Sequence, residues 1–277
     1  MAATSAATAP ARVSRVPRPT PEQRRTILTG AVSLGALVAG WWLLAATVLD
    51  RYQIPTPGEI VAKAQERGFG YYREIFSVTL GEAATGYVYG VAIALGMAVL
   101  VLLIPFLEPV IMQVAVVTYC LPIVVLAPLM IILLETADTS SPTATVLAGL
   151  SVVFTTVVGA VLGFRSADRA SLDVVTVYGG GRWQQFVRVR LVSALPALFT
   201  TLQVAAPAAF LGALLGEWFD RRLEVGVGPS LYLAMNNRET ELAWSVGLAC
   251  ALVSGLAYAA IGLVGRLVAP WAGGGSR

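Results

Sequence analysis

The sequence predicts an all-α, polytopic membrane protein with six transmembrane helices. Its mean hydropathy is +0.75 and only 13% of its 277 residues are charged, whereas an average soluble domain is about 25% charged. Six apolar segments are each long enough to cross a bilayer, because about 20 helical residues span a hydrocarbon core of about 30 Å. A backbone in lipid has to satisfy its own hydrogen bonds, and apolar runs of this length do so as helices.

The six predicted spans are separated by polar or proline-containing connections. They lie at about residues 27–49, 79–104, 109–134, 144–164, 194–216 and 242–268. No small-residue cleavage site clearly follows the first segment, so we predict a retained signal-anchor helix. The predicted organisation is a disordered basic cytoplasmic tail (1–25), a transmembrane domain (26–271) with a long polar loop at 165–192, and a C-terminal tail (272–277).

The distribution of positive charge predicts the orientation of the chain. Twelve of the 19 Arg and Lys residues fall on the side of the two termini and the 165–192 loop, and seven fall on the other side. Cytoplasmic loops of membrane proteins carry an excess of Arg and Lys. We therefore predict that both termini and this loop are cytoplasmic.

Several residue types that catalysis requires are missing. The chain has no His, which excludes a Ser-His-Asp triad and a His-based zinc site. Its single Lys, Lys63, follows no glycine-rich run, which excludes a Walker phosphate loop. Cys120 and Cys250 lie inside apolar runs without ligand spacing and are interpreted as small hydrophobic residues. We expect no catalytic residue, metal or cofactor, and a net charge of only +3 does not indicate a nucleic-acid partner.

The 165–192 loop has the pattern of two short helices joined by a glycine turn. Residues 168–178 favour one helix, the glycines at 179–181 permit positive φ and a sharp reversal, and residues 182–190 favour a second helix that runs into the next span. We expect Trp183 and Phe186 to be exposed among arginines, an arrangement that suits a partner's groove. The alternative is an ordinary interfacial loop, whose arginines serve orientation only.

The same loop resembles the cytoplasmic motif of type I ABC importer permeases, which reads E-A-A, three residues, G, nine residues, I-x-L-P. The matching positions are Asp173, Val174, Val175, Gly179, Val189 and Leu191. The spacing and the glycine are kept, whereas Asp-Val-Val replaces Glu-Ala-Ala and Val192 replaces the first proline. A second candidate at Glu82-Ala83-Ala84 is rejected because its glycine comes too early and it lies within a predicted span.

Further segments resemble the nitrate/sulfonate/taurine branch of these permeases. They are Pro55-Thr56-Pro57, the proline-rich segment 121–129, Gly216-Glu217 and Gly226-Val227-Gly228. Their order and separations match across about residues 27–268, so the resemblance covers almost the whole chain outside its basic tail.

The resemblance implies a fold, a location and a set of partners. The fold would be that of a type I ABC importer permease in a bacterial inner membrane, in contact with lipid. Two permease subunits, identical or paralogous, would form the pathway for a small solute such as nitrate, a sulfonate, taurine or a vitamin precursor. A cytoplasmic ATP-binding subunit dimer would bind the 165–192 loop, and an extracytoplasmic solute-binding protein would deliver the solute.

Three polar residues in or near the spans are candidates for the pathway or for packing. Gln113 and Gln203 lie deep in their segments, where interhelical hydrogen bonding is the ordinary role of an amide. Glu217 lies near the end of a span, as does Glu82, and each is interpreted as either functional or interfacial and solvated.

Two other classes of function remain open from the sequence. An ATP-independent secondary carrier or channel would be expected to show an inverted repeat or an ion relay at mid-membrane, and neither is visible. A membrane-embedded enzyme is disfavoured by the missing His and by the lack of paired acids at mid-membrane.

Overall fold

The computed structural model describes residues 21–48, 53–134 and 140–271. The chain divides into two compact units, residues 1–57 and 58–277. The first unit contains helix α1 (Pro21–Thr47), whose apolar part covers most of the predicted signal-anchor segment. This helix starts inside the predicted tail, and the rest of both predicted tails lies outside the described residues.

The second unit is built from helices joined by short connections. They are α2 (Pro57–Leu103), a 3₁₀ turn (Pro105–Leu107), α3 (Glu108–Cys120), α4 (Ile123–Leu133), α5 (Pro142–Arg165), α6 (Arg169–Val177), α7 (Arg182–Gln185), a π-helical turn (Phe186–Arg190), α8 (Leu191–Phe219), α9 (Val227–Asn236) and α10 (Thr240–Val268). The prediction of an all-α protein is confirmed.

Five helical segments of the described chain are long and apolar enough to cross a membrane, and a bent pair provides a sixth candidate. The bent pair is α3 with α4, which meet at 93° within the predicted span 109–134. The break lies at Leu121 and Pro122, because a residue before proline is driven from the helical region, and Leu121 has an extended ψ of 119°. The expectation of one continuous helix there is wrong.

Small residues allow α2, α5 and α8 to pack with their backbones close together. A Cβ placed on Gly90 would lie 2.5 Å from the carbonyl oxygen of Gly149, and one placed on Gly212 would lie 2.6 Å from that of Leu147. Such close approach is typical of helices packed in membranes. It places α5 between α2 and α8 in the centre of the second unit.

Two sets of contacts define the two ends of this helix bundle. At one end, Arg182 Nη1 donates to the carbonyl of Leu103 (3.4 Å) and Arg165 pairs with Glu108 (2.5 Å). We call this the loop end, because it carries residues 165–192. At the other end, called the far end below, Arg222 Nη2 donates to the carbonyl of Ile131 (3.0 Å).

Candidate functional site

Helix α6 (Arg169–Val177) projects from the loop end, and none of its residues is buried. It begins at Asp168, whose carboxylate accepts a hydrogen bond from the backbone N–H of Ser171 (3.2 Å). This side-chain cap satisfies one of the free N–H groups at the start of the helix. At the other end of the helix Val177 is 83% exposed and Tyr178 is 88% exposed, so the helix ends in an apolar surface.

The glycine turn reverses the chain after α6. Gly179 has φ +79°, its N–H donates to the carbonyl of Thr176 (2.9 Å), and the N–H of Gly180 donates to the carbonyl of Val175 (2.8 Å). A Cβ on Gly180 would lie 2.5 Å from Val175 Cγ1. Of the three glycines only Gly179 adopts the left-handed conformation, and Gly181 has an ordinary φ of −84°. The predicted reversal thus requires the positive φ of Gly179, and it requires that Gly180 has no Cβ to clash with Val175.

Side-chain amides hold α6 and α7 together across this turn. Gln184 Oε1 accepts from the backbone N–H of Gly181 (2.8 Å), which caps α7. Gln185 Nε2 donates to Thr176 Oγ1 (2.8 Å) and to the carbonyl of Leu172 (3.4 Å). The two short helices therefore form one hydrogen-bonded hairpin, as the sequence predicted.

The hairpin is anchored to the bundle through the π-helical turn. Phe186 is only 7% exposed and packs edge-on against Phe164 of α5, with ring centroids 5.2 Å apart. Arg190 Nη1 donates to the carbonyl of Phe164 (3.2 Å). The expectation that Phe186 is exposed is wrong, because its ring fills a space beside α5 while Trp183, one turn earlier, remains 59% exposed.

The residues that match the family motif occupy three kinds of position. Asp173, Val174 and Gly179 are exposed on the hairpin, Val175 is half-buried beside Gly180, and Val189 and Leu191 are half-buried where the hairpin joins α8. Four large apolar side chains of the hairpin are more than half exposed, and we call them the loop tip: Val174, Val177, Tyr178 and Trp183. The motif contains one of these four residues. The sequence analysis did not identify Val177 and Tyr178, although their position directly before the glycine turn indicates that they lie at the exposed end of α6.

The three candidate pathway residues are not brought together. Gln113 is exposed on α3, whereas Gln203 is half-buried and lines a cavity of about 600 Å³ beside Arg266. The amide of Gln203 also packs against α10, since a Cβ on Gly262 would lie 2.6 Å from its Nε2. Glu217 lies at the far end and is 1% exposed. Its interpretation as interfacial and solvated is wrong.

Glu217 belongs to a cluster of buried acidic and hydroxyl groups at the far end. Glu82 Oε1 accepts from the backbone N–H of Ser141 (2.5 Å), and Ser141 Oγ donates to Asp220 Oδ2 (2.9 Å). Glu217 Oε2 accepts from the backbone N–H of Gly228 (2.7 Å). We call Glu82, Ser141, Glu217 and Asp220 the buried acidic cluster. Sequence reasoning missed Ser141 and Asp220, and it assigned Glu82 no partner.

Helix α9 covers this cluster. The backbone N–H of Val227 donates to Thr79 Oγ1 of α2 (3.0 Å). On its exposed side, the guanidinium carbon of Arg221 lies 3.3 Å from the ring centroid of Tyr232. A hydrogen bond with the Asn236 side chain, and then the charge of Arg221, lower the pKa of the Tyr232 phenol below its ordinary value. The far end is therefore a polar junction at which α2, α5, α8 and α9 meet.

These features define a multi-pass membrane protein with an exposed helical hairpin at one end of its bundle. Residues 90–273 match the family described as binding-protein-dependent transport system inner membrane component, and the chain belongs to this family. It is a transmembrane permease subunit of the ABC transporter type, and the predicted type I ABC permease fold is confirmed.

Three relatives of this chain are named as permease proteins of transport systems. The chain is 23% identical to the formylaminopyrimidine transport permease protein ThiX of Halalkalibacterium halodurans, over 85% of the chain and 92% of the relative. It is 29% identical to the riboflavin transport system permease protein RibX of Chloroflexus aurantiacus, over 61% of each. It is 24% identical to a probable ABC transporter permease protein of Haemophilus influenzae, over 69% of the chain and 77% of the relative.

Proposed function

We propose that this chain forms part of the solute pathway of an ABC importer and that a separate ATPase subunit acts on it through the loop tip. Family membership supplies the transport role. The observation that carries the finer proposal is the loop tip itself, which exposes four large apolar side chains on a hairpin without a buried face on α6. A contiguous exposed apolar surface with a polar surround marks a partner site.

The hairpin is suited to transmit force because it is rigidly joined to a membrane helix. The segment Arg182–Phe219 is helical over 38 residues, which corresponds to roughly 55 Å at 1.5 Å per residue. Phe186 and Arg190 fix its first turns to α5. A displacement of the hairpin by an ATPase would therefore move the start of α8 with it.

The proposed orientation places the loop end in the cytoplasm, together with both termini. The excess of Arg and Lys on the side of the 165–192 loop supports it. The end of α10 also lies at the loop end, since Arg266 and Ala269 line the same cavity as Pro196 at the start of α8. An ATPase is a cytoplasmic partner, so this orientation is the one that the proposal requires.

The remaining partners follow from the type of transporter. A second permease subunit, identical or paralogous, would complete the pathway, and a solute-binding protein would dock at the far end. The exposed amide of Gln113 on α3 supports a pathway or subunit contact there, because an amide facing lipid alone is unfavourable. Lipid would cover the rest of the apolar surface.

For the solute we propose a small organic molecule of the vitamin or vitamin-precursor type. Support comes from the relatives named for formylaminopyrimidine and riboflavin transport, which favour this class over the nitrate, sulfonate and taurine of the resembling branch. Uptake by the reconstituted complex, compared for a formylaminopyrimidine, riboflavin, taurine and nitrate, tests this choice. Uptake of taurine or nitrate alone would contradict it.

Capture of the ATPase by the tagged permease tests the assignment of the loop tip. We expect a stoichiometric ATPase with the wild-type chain and at least a tenfold loss with Val177→Asp, which places a charge in the apolar contact. The control is Phe69→Asp, which changes a side chain of similar exposure (81%) in α2 outside the loop. Undiminished capture by Val177→Asp would contradict the assignment, and the absence of any ATPase would favour the secondary carrier or channel.

A further inference from the structure

We propose that Glu82 and Glu217 form a proton-binding site, in which one proton is shared between the two carboxyl groups and joins α2 to α8 at the far end. The site lies at the end of the bundle opposite the loop tip, and its proton binding is separate from the transport role. The proposal rests on the hydrogen bonds that the two buried glutamates form and on those that they lack.

Both glutamates are buried and each is only half satisfied. Glu82 is 6% exposed and Glu217 is 1% exposed. One oxygen of each accepts a backbone N–H, from Ser141 and Gly228 respectively. The other oxygens, Glu82 Oε2 and Glu217 Oε1, have no hydrogen-bond partner among the residues that the structure describes. A buried oxygen without a partner is unfavourable, so these two atoms require an explanation.

The Thr79 hydroxyl is a hydrogen-bonding neighbour of Glu217. Glu82 and Glu217 are also hydrogen-bonding neighbours of each other. An ionised carboxylate is only an acceptor, so two ionised groups could not form this bond, whereas a protonated carboxyl group has one O–H donor. A single proton on either glutamate therefore satisfies both free oxygens. Two like charges in contact in a buried site would in addition repel each other.

The surrounding charges do not compensate a second negative charge. Among the described residues, neither glutamate belongs to an ion pair with Arg or Lys. The third acid of the cluster, Asp220, accepts hydrogen bonds from Ser141 and from Arg222, whose side chain also binds backbone carbonyls of Ile131 and Leu134. Among the described residues, the cation that binds the cluster, Arg222, is thus directed to Asp220.

The other titratable groups around the pair face it from α9, α10 and the segment after α8. Glu217 lines a cavity of about 310 Å³ together with Arg221, Glu224 and Tyr232, and Arg221 is directed to the ring of Tyr232. Cys250 of α10 is an electrostatic neighbour of Glu217. Of the two glutamates, Glu217 is the one that borders this cavity.

The shared proton has a structural consequence for a transporter. The bond joins α2 to the last turn of α8, the same helix whose start carries the hairpin. If the far end opened and water reached the pair, the O–H bond would break and the proton would pass to water, because a solvated glutamate is ionised at neutral pH. Closing would take up one proton again, so the site couples opening of the far end to local proton release.

Infrared spectroscopy of the whole chain in lipid nanodiscs tests this site. We expect wild-type protein at neutral pH to show the carbonyl stretch of one protonated carboxyl group, shifted in D₂O. Glu82→Gln and Glu217→Gln should each lose this band, because a Gln amide can donate to the remaining carboxylate in place of the proton. The control, Glu224→Gln, changes an exposed acid that lines the same cavity and should keep the band.

Two results would overturn the proposal. One is the absence of the band in the wild-type protein, which needs no variant to fold. If Na⁺ then raised the melting temperature, the free oxygens would be assigned to a cation instead of a proton. The other is a band that persists in both Gln variants, with thermal melting used to confirm that they are folded.

Discussion

The loop end and the far end of the second unit are built in opposite ways. At the loop end, α6 has no buried residue, and its hairpin is held by hydrogen bonds between its own two helices and by the buried ring of Phe186. At the far end, Glu82, Glu217 and Asp220 are buried and bonded across α2, the start of α5, the end of α8 and α9. The loop end exposes its side chains to solvent or a partner, whereas the polar groups of the far end bond to one another inside the protein.

The difference indicates where a partner can act and where the fold must remain intact. A surface that makes few internal contacts can change partners or move at little cost to folding. A buried polar network is costly to disturb, because each group that loses its partner is left unsatisfied in a dry site. Substitutions at the far end should therefore affect stability first, and substitutions at the loop end should affect coupling first.

The largest expected effect is at the far end, for Glu217→Ala. The change leaves the N–H of Gly228 without an acceptor and creates a cavity at a buried position. We therefore expect the free energy of unfolding to fall by about 3 kcal/mol. Glu224→Ala, at an exposed acid nearby, should lie within about 0.5 kcal/mol of the wild type. Thermal unfolding in the same detergent measures both, and equal melting temperatures would contradict the claim that the buried acidic cluster stabilises the far end.

An intermediate effect is expected for Gly179→Val in the hairpin. A β-branched residue is strained at φ +79°, by about 1–2 kcal/mol, so the turn should distort while the membrane helices stay folded. We expect ATP hydrolysis to persist and solute uptake to fall at least tenfold. Gly181→Val is the matched control, because Gly181 has φ −84° and a Cβ added there would meet no atom of the described residues within 4 Å. If the two variants transport equally well, the turn does not couple.

The smallest expected effect is that of the surface ion pair between Arg165 and Glu108. Their side chains are 49% and 31% exposed, and exposed pairs contribute about 0.2–1 kcal/mol. Arg165→Ala should therefore shift the melting temperature only slightly and leave capture of the ATPase intact. A shift as large as that of Glu217→Ala would show that the loop end is more tightly integrated than its exposure indicates.

Local features of the sequence were sufficient to predict most of the fold. Apolar length placed α5 (Pro142–Arg165) and α10 (Thr240–Val268) within two residues of the predicted spans 144–164 and 242–268. The hairpin was predictable because a positive φ after a short helix is a local demand that glycine meets. The break at Pro122 was equally local, and the rule on residues before proline would have revealed it.

The polar contacts between distant segments could not be predicted. Ser141 forms hydrogen bonds with Glu82 and Asp220, which lie 59 and 79 residues away in the sequence. No local sequence pattern predicts contacts between such distant residues. The sequence predicts an exposed Phe186 and leaves Glu217 as either functional or interfacial and solvated, because the burial of both side chains is decided by α5 and α9 and not by their own neighbours. For the candidate site, the spacing of the motif identified the hairpin, but the exposed side chains of the loop tip were visible only in three dimensions.

The most direct test of the account is the side of the membrane on which the hairpin lies. Ser171→Cys, in a chain whose Cys120 and Cys250 are replaced by Ala, should react with a membrane-impermeant maleimide only in inside-out vesicles. Met235→Cys, an exposed position on α9 at the far end, should react only in intact cells or right-side-out vesicles. Labelling of Ser171→Cys from the exterior would contradict the central claim that residues 165–192 meet a cytoplasmic ATPase.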